Sequence, residues 1–245
     1  MKIVTSKITK KSWLVNVKGQ QITPKYRNIS MQQYALFCVV EGYDKNKEEK
    51  KIHIFDAKTA NEMWFGNIKE YTVAFDNILI FRTDKYWHMY AFDCNLLRRN
   101  IFDFLVSKRS QYILVNIQGK AYFMNQSLQL VSDCYKYLRD FDKFGYSVAK
   151  GSLSEMYYIL NESMDIVTGP VDADMLKPLD KEFFLFWKNG LCGIIDKNRN
   201  EIIPAKYQEI VITGDNNFRL KAAGLYGMAD RSGKIIMECV YDEII

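Results

Sequence analysis

The sequence of 245 residues has few of the features that mark membrane, secreted or disordered proteins. It contains only four prolines, and 48% of its residues are apolar against 26% charged, which is an ordinary globular composition. No apolar run reaches the roughly 18 residues that a membrane-spanning helix needs. Residues 1–7 lack the apolar stretch of a signal peptide, so we expect no secretion by that route.

The chain also lacks paired cysteines. Its five cysteines are an odd number, and none lies at the short spacing of a redox or zinc motif. Each lies in or beside an apolar stretch, which predicts unpaired thiols that react slowly in the native state. Reduced thiols are typical of the cytoplasm, so the protein is predicted to be cytoplasmic. The five positions are Cys38, Cys94, Cys134, Cys192 and Cys239.

Signatures of catalysis are missing as well. The sequence has no glycine-rich phosphate loop and no nucleophile elbow, and its two histidines are His53 and His88. We therefore predict no catalytic residue, no metal and no cofactor. The hypothesis is a protein that is not an enzyme. The alternative that stays open is a hydrolase or lyase, whose site would need convergent carboxylates or histidines.

The chain is rich in aromatic residues and, in its first part, in positive charge. It contains 16 Tyr, 15 Phe and 4 Trp. Residues 1–150 carry 24 Lys and Arg against 14 Asp and Glu, a net charge of +10. Residues 151–245 carry 10 against 15, a net charge of −5. A basic surface on the first part would favour an acidic partner.

Two copies of one motif lie near the C-terminus. In each copy a Gly precedes an Asp by three residues, and a Tyr and an Ile follow that Asp by 11 and 14 residues. The full pattern, G-φ-φ-D-x-x-G-K-x-I-x-P-x-x-Y-D-x-I, resembles the WG-repeat family of bacterial proteins. Gly193 and Gly227 match the family's Gly, whereas Cys192 and Tyr226 stand where the family has Trp.

Fainter copies extend the repeat through the whole chain. We call the Asp of the motif, or its equivalent, the anchor. Successive anchors are 34 to 36 residues apart, except for one spacing of 40 that contains a charged insertion over residues 43–49. This pattern predicts a single repeat domain of seven units over residues 1–245. The anchors are Asn16, Asp56, Ala91, Asn125, Asn161, Asp196 and Asp230.

Each unit is predicted to form four short antiparallel strands. In the sixth unit the apolar segments are 183–187, 192–195, 201–204 and 207–211, and in the seventh they are 218–221, 226–229, 234–238 and 241–244. Seven such units predict an all-β fold, a seven-bladed β-propeller of about 35-residue repeats around a central channel. The alternative is an open β-solenoid of stacked hairpins. Seven is a usual blade number, and the seventh unit lacks a solenoid's polar cap, so the propeller is favoured.

The anchors and the histidines are predicted to be structural. The side chain of each Asn or Asp anchor is expected to accept backbone N–H bonds in the turn that follows it. His53 and His88 lie three residues before their anchors, at the family's Gly position. Other units have Trp13, Tyr122 and Tyr158 there, so the predicted role of this position is the packing of a flat ring.

The predicted function is that of a protein–protein interaction scaffold, because loops on a rigid fold are common binding sites. The family resemblance implies architecture more than activity. We expect an acidic protein partner, a toxin to be neutralised being one example, and no membrane partner. A weak nucleic-acid binder is a further alternative. The second to fourth units depart from the motif and carry the excess charge, which places the predicted partner-binding residues there: Lys45, Lys47, Lys50, Lys85, Tyr86, Trp87, Arg98 and Arg99.

Overall fold

The computed structural model describes residues 1–43 and 50–243. These ranges contain 25 β-strands and no helix, so the predicted all-β class is confirmed. Within the same ranges, no helix of a length and hydropathy that would cross a membrane is found. The chain divides into two compact units. The first comprises residues 1–106, 111–118 and 124–130, and the second comprises residues 107–110, 119–123 and 131–245.

In the first unit, antiparallel strands pair with their neighbours along the chain. A hairpin of β1 (Lys2–Thr5) and β2 (Ser12–Val15) comes first, and a hairpin of β11 (Asp103–Val106) and β12 (Ile113–Ile117) comes last. Between them lie two four-stranded sheets. One consists of β3 (Asn28–Gln33), β4 (Phe37–Tyr43), β5 (Lys50–Asp56) and β6 (Glu62–Met63). The other consists of β7 (Glu70–Ala74), β8 (Ile78–Arg82), β9 (Trp87–Ala91) and β10 (Leu96–Ile101).

The sheets of the first unit pack face to face in chain order. Alternate residues of a strand point to opposite faces, and in β4 both faces are buried. Cys38 belongs to an apolar cluster with Leu14 of β2. Its neighbour Val39 belongs to a different cluster with Leu79 of β8. A strand that is covered on both faces reads in sequence as a continuous apolar run, which is what residues 37–40 show.

In the second unit, too, antiparallel strands pair with their neighbours along the chain. In it β13 (Lys120–Met124) pairs with β14 (Tyr135–Leu138), and the strands β15 (Tyr146–Gly151), β16 (Tyr157–Asn161) and β17 (Ile166–Val171) follow in order. The next sheet consists of β18 (Met175–Pro178), β19 (Phe183–Lys188), β20 (Leu191–Asp196) and β21 (Glu201–Tyr207). The last consists of β22 (Glu209–Ile212), β23 (Phe218–Ala222), β24 (Leu225–Ala229) and β25 (Ile235–Tyr241).

One arginine connects the last two sheets. The Arg231 guanidinium lies 4.3 Å from the ring centroid of Phe183 and 5.1 Å from that of Phe218. It also forms an ion pair with Asp180, which precedes β19. Both partners are largely buried, with 25% of the arginine side chain and 21% of the aspartate side chain exposed. The contact joins residues from two sheets and therefore helps to fix how they pack.

The predicted grouping of strands is wrong by one strand. The segment 207–211 was expected to be the fourth strand of its unit, but Tyr207 ends β21 and residues 209–212 form β22. This strand pairs with β23, so it opens the next sheet. In the seventh unit Tyr241 likewise ends β25, and residue 244 lies outside the described residues. The four strands of a sheet therefore begin one strand earlier than the motif suggests.

The predicted role of the Asn and Asp anchors is confirmed at all six positions. The anchor Oδ1 accepts backbone N–H bonds in the turn that follows it, for example from Ser127 and Gln129 at Asn125, at 3.0 and 2.9 Å. Such bonds replace those that a turn cannot form within its own backbone. The six anchors are Asn16, Asp56, Asn125, Asn161, Asp196 and Asp230.

All five cysteines are unpaired, as predicted. Cys38 and Cys192 are buried, and burial raises the pKa of the Cys38 thiol to about 11. Cys134 and Cys239 are half-buried. The expectation of a protected thiol is wrong for Cys94, which is exposed because it lies in the turn after β9 and not in a strand.

Candidate functional site

Six of the eight residues predicted to bind a partner lie in the described ranges, and all six belong to the first unit. Lys50 begins β5, Lys85 and Tyr86 lie in the turn between β8 and β9, Trp87 begins β9, and Arg98 and Arg99 lie in β10. Lys45 and Lys47 lie outside the described residues.

Lys50 is engaged within the protein. Its Nζ lies 3.1 Å from Glu41 Oε1 and 5.7 Å from the ring centroid of Tyr71. Burial acts to raise the pKa of the Glu41 carboxyl, but hydrogen bonds from Tyr43 and Lys50 hold that pKa below its ordinary value. The bond to Glu41 raises the pKa of Tyr43 to about 12. The positive charge of Lys50 is therefore largely matched by Glu41.

The turn between β8 and β9 places one cation in solvent and one ring in the fold. Lys85 is exposed, with its Nζ 5.4 Å from the ring centroid of Tyr86. Trp87 is half-buried and packs edge-on against Phe104, with ring centroids 5.0 Å apart. Arg82 lies over the same indole at 5.8 Å. Lys85 is thus available to a partner, whereas Trp87 contributes mainly to packing.

A β-bulge in β10 separates the two neighbouring arginines. Arg98 pairs with Met89 and Ile101 pairs with Trp87, so Arg99 and Asn100 together oppose His88. Bulges commonly redirect a side chain. The Arg98 Nε donates to the carbonyl of Leu128 at 3.0 Å. Arg99 instead lines a pocket.

This pocket has a volume of about 350 Å³. It lies where the segment after β6 meets sheet β7–β10. Phe65 lies against Phe81 and Tyr90, with ring centroids 5.1 and 5.0 Å apart, and this packing fixes the segment. The preceding Trp64 is 80% exposed. The principal lining side chains are Trp64, Phe65, Phe81, Thr83, His88 and Arg99.

His88 is held as a neutral hydrogen-bond donor in the wall of the pocket. The N–H of Asn100 in the bulge points to His88 Nδ1 at 3.4 Å, which places the ring proton on Nε2. The Nε2 lies 3.2 Å from Thr83 Oγ1 and so donates to that hydroxyl. Burial and the positive charge of Arg99 lower the pKa of His88, which keeps the ring neutral at pH 7.

The other histidine takes part in a separate hydrogen-bonded chain. His53 Nε2 lies 2.6 Å from the hydroxyl of the buried Tyr26, and His53 Nδ1 lies 2.6 Å from Glu62 Oε1. The rings of His53 and Tyr26 are 5.8 Å apart. Both histidines pack against aromatic rings, which confirms the predicted packing role. No group of three His, Cys, Asp or Glu side chains able to hold a metal was found in the part of the chain that the structure describes.

Carboxyl groups with a clearly shifted pKa are all shifted downward in the described ranges. Hydrogen bonds outweigh the effect of burial at each of them, and at all but Asp215 a nearby cation adds to the lowering of the pKa. These carboxylates serve as acceptors in turns and ion pairs. They are Glu41, Asp56, Glu155, Asp180, Asp215 and Asp230.

Sequence reasoning identified Arg99 but missed the rest of the pocket. The signal that was available is the pair of consecutive aromatic residues, Trp64 and Phe65, in a unit that departs from the motif. The position of His88 was noticed, but its relation to Arg99 depends on the bulge. A bulge is set by the pairing of two strands and leaves no clear mark in the sequence.

Comparison with known proteins identifies the repeat. A family model described as "WG containing repeat" matches residues 193–216 and 226–245, which confirms the resemblance seen in the sequence. No curated protein matches the chain. Solved structures with a similar arrangement include one titled "Crystal structure of the eukaryotic initiation factor", with 12% identity, a TM-score of 0.42, and 99% of this chain and 78% of that chain covered. Another is the structure of Kluyveromyces lactis Hsv2p, with 9% identity, a TM-score of 0.34, and 83% and 73% covered.

Proposed function

Because residues 193–216 and 226–245 of this chain are WG repeats, we propose that the whole chain is a seven-bladed β-propeller of the WG-repeat type. Two features support the proposal. The same anchored turn recurs in six units along the chain. Four-stranded antiparallel sheets also recur in both compact units, and sheets that follow one another within a unit share apolar clusters. Class averages from electron microscopy should show a ring with seven sectors, and an elongated stack would establish the solenoid instead.

We propose that this scaffold binds an acidic protein in the cytoplasm and catalyses no reaction. The observation that carries the proposal is the pocket in which the exposed Trp64 lies together with Arg99. Tryptophan and arginine are the residues most enriched at the centres of protein interfaces. The first unit carries 17 Lys and Arg against 11 Asp and Glu, a net charge of +6, and the second carries 17 against 18, a net charge of −1. Positive charge around the pocket would steer an acidic surface toward it.

The test is capture of a partner from a native lysate with charge-reversed variants as bait. Lys85→Glu with Arg99→Glu removes two exposed cations of sheet β7–β10 that are not matched by a carboxylate in the described structure. Arg98 is left unchanged because its Nε donates to the carbonyl of Leu128. We expect a specific acidic protein to be retained by the wild type and lost from this variant. Its retention by the wild type should also fall as salt rises.

The matched control is Lys197→Glu with Lys206→Glu, two exposed lysines of sheet β18–β21. Lys50 and Arg231 are left unchanged because both form ion pairs, and their reversal would disturb the fold. Equal loss of the partner from both variants, or loss only from the control, would mean that the binding surface is not on sheet β7–β10.

A further inference from the structure

The polar side chains that line the pocket beside Arg99 are all hydrogen-bond donors. Arg99 is a cation, and the indole N–H of Trp64 can only donate. The Thr83 hydroxyl accepts from His88 Nε2, which leaves its own proton free for a further acceptor. No Asp or Glu side chain lines this pocket in the part of the chain that is described. A group with acceptor atoms can therefore be bound here by several donors, and the charge of Arg99 favours an anion.

The remaining walls are aromatic. Phe65 and Phe81 have ring centroids 5.1 Å apart, and the imidazole of His88 lies 5.3 Å from Phe81. With the indole of Trp64, these rings enclose about 350 Å³, which is enough for one aromatic side chain. Rings pack on such a surface edge-on or offset, and such ring pairs stabilise a contact beyond the burial of apolar area alone. The pocket thus combines a surface for a ring with donors for an anion.

Trp64 and Arg99, the two residues expected to contact a partner, are both open to solvent. Trp64 is 80% exposed, although an indole of this size is normally covered in a folded chain. Arg99 is exposed, and no carboxylate lies within ion-pair distance of it among the described residues. Arg82 of β8 in the same sheet, by contrast, pairs with Glu70. The exposed indole and the unmatched cation are what a partner would have to cover.

We propose that this pocket recognises an aromatic side chain flanked by carboxylates on the acidic partner. The ring packs against Phe65, Phe81 and the indole of Trp64, and a flanking carboxylate accepts hydrogen bonds from Arg99 and Thr83. This inference rests on the proposed protein-binding function, and it names the segment that the scaffold reads.

The probe is a synthetic peptide, acetyl-Asp-Glu-Phe-Glu-Asp-amide, added to ¹⁵N-labelled full-length protein. The four Trp residues give four indole N–H signals, and the Trp64→Phe variant assigns one of them. We expect the Trp64 signal to shift saturably, with a Kd on the order of 1 mM for a contact of this size. Arg99→Gln should weaken binding about tenfold, because it removes a charge-assisted hydrogen bond. Arg109→Gln, at an exposed arginine of the second unit, should leave the Kd unchanged.

Two further peptides define the chemistry. Replacing the acidic residues by Lys, or replacing Phe by Ala, should each abolish the saturable shift. Equal binding of all three peptides, a shift confined to other indole signals, or a Kd that does not respond to Arg99→Gln would overturn the proposal.

The inference and the proposed function fail in different ways. If the lysate yields an acidic partner that the Trp64→Ala variant still binds with full affinity, the scaffold function stands and the role of this pocket falls. If the peptide binds as expected but the lysate yields no partner, recognition by the pocket stands and the scaffold function falls.

Discussion

Sheets β18–β21 and β22–β25 can be compared with sheets β3–β6 and β7–β10 at the position three residues before the anchor. The first pair has Gly193 and Gly227 there, and the second pair has His53 and His88. A Cβ at Gly193 would lie 2.5 Å from the carbonyl oxygen of Ile203, and one at Gly227 would lie 2.6 Å from that of Met237. The fourth strand of each sheet thus occupies the space that a side chain would need.

The strand pairing shows what replaces this contact. Three residues of the fourth strand oppose Gly193, because Cys192 pairs with Tyr207 and Ile194 pairs with Ile203. Only two residues oppose His88, and the pairing of β5 with β6 stops short of His53. A ring at this position excludes the close backbone contact, and hydrogen bonds from the ring take its place. Fewer residues of the fourth strand thus oppose a ring at this position than oppose a glycine, and beside His88 a pocket lies next to the ring.

The largest expected effect is at the glycine. Gly193→Ala should destabilise the protein by about 3 kcal/mol, because the new methyl group meets backbone atoms that can move only with the whole strand. The free energy of unfolding in urea measures it. The control is Gly214→Ala, since a Cβ at Gly214 would meet no atom within 4 Å, and its effect should stay within about 0.5 kcal/mol. Equal effects of the two variants would refute the close-contact explanation.

A middle-sized effect is expected where sheets β18–β21 and β22–β25, which carry the two clear copies of the motif, meet. Arg231→Met removes the ion pair to Asp180 and the cation over two rings, and should lower stability by about 2 kcal/mol at pH 7. Burial acts to raise the pKa of the Asp180 carboxyl, but hydrogen bonds from the backbone at Glu182 and Phe183 and from Arg231 hold that pKa below its ordinary value.

Such a lowered pKa gives stability that is present above about pH 4, the ordinary value for aspartate, and is lost as the pH falls through the lowered value. The difference in unfolding free energy between wild type and Arg231→Met should therefore shrink as the pH falls below 4. Lys206→Met, at an exposed lysine, should show a small effect at every pH. A difference that is constant with pH would assign the effect to ring packing alone.

The smallest effect sharpens the comparison from the histidine side. Tyr26→Phe removes the hydroxyl that lies 2.6 Å from His53 Nε2, and should cost about 1 kcal/mol because the imidazole nitrogen loses its partner. Tyr207 occupies the equivalent position of the sixth unit. Tyr26 bonds a residue of the following unit, and the unit after Tyr207 has Gly227 at the position of His53. Tyr207→Phe should therefore change stability by less than about 0.5 kcal/mol. Chemical denaturation of both variants compares them, and a larger loss from Tyr207→Phe would reverse the interpretation.

Local chemistry was predictable from the sequence. The role of Asp196 or Asn125 depends on an oxygen and on the backbone of the next four residues, and all of these atoms lie close together in the chain. The strand segments around the motif were predictable for the same reason, because apolar runs and turn residues alternate within each unit.

Features that depend on the pairing of residues far apart in the chain, such as sheet boundaries and the pocket, were not predictable from the sequence. The division between Tyr207 and Glu209 assigns two adjoining segments to different sheets, and it is fixed by the pairing of each segment with its own neighbour. The sequence indicated that Lys50 would be a solvent-exposed cation. Strand pairing instead brings it to Glu41, nine residues earlier in the chain. The pocket joins Trp64 to Arg99, 35 positions apart, across two sheets.

Every described strand pairing within the two units joins strands that are consecutive along the chain. A hairpin of this kind has low sequence separation between its partners, so each sheet can form before its neighbours have been completed. Duplication or deletion of the segment that forms one four-stranded sheet would leave the strand pairing within the other four-stranded sheets unchanged. The architecture is therefore suited to growth and divergence by tandem copying, with new surfaces arising in whichever copy is free to drift.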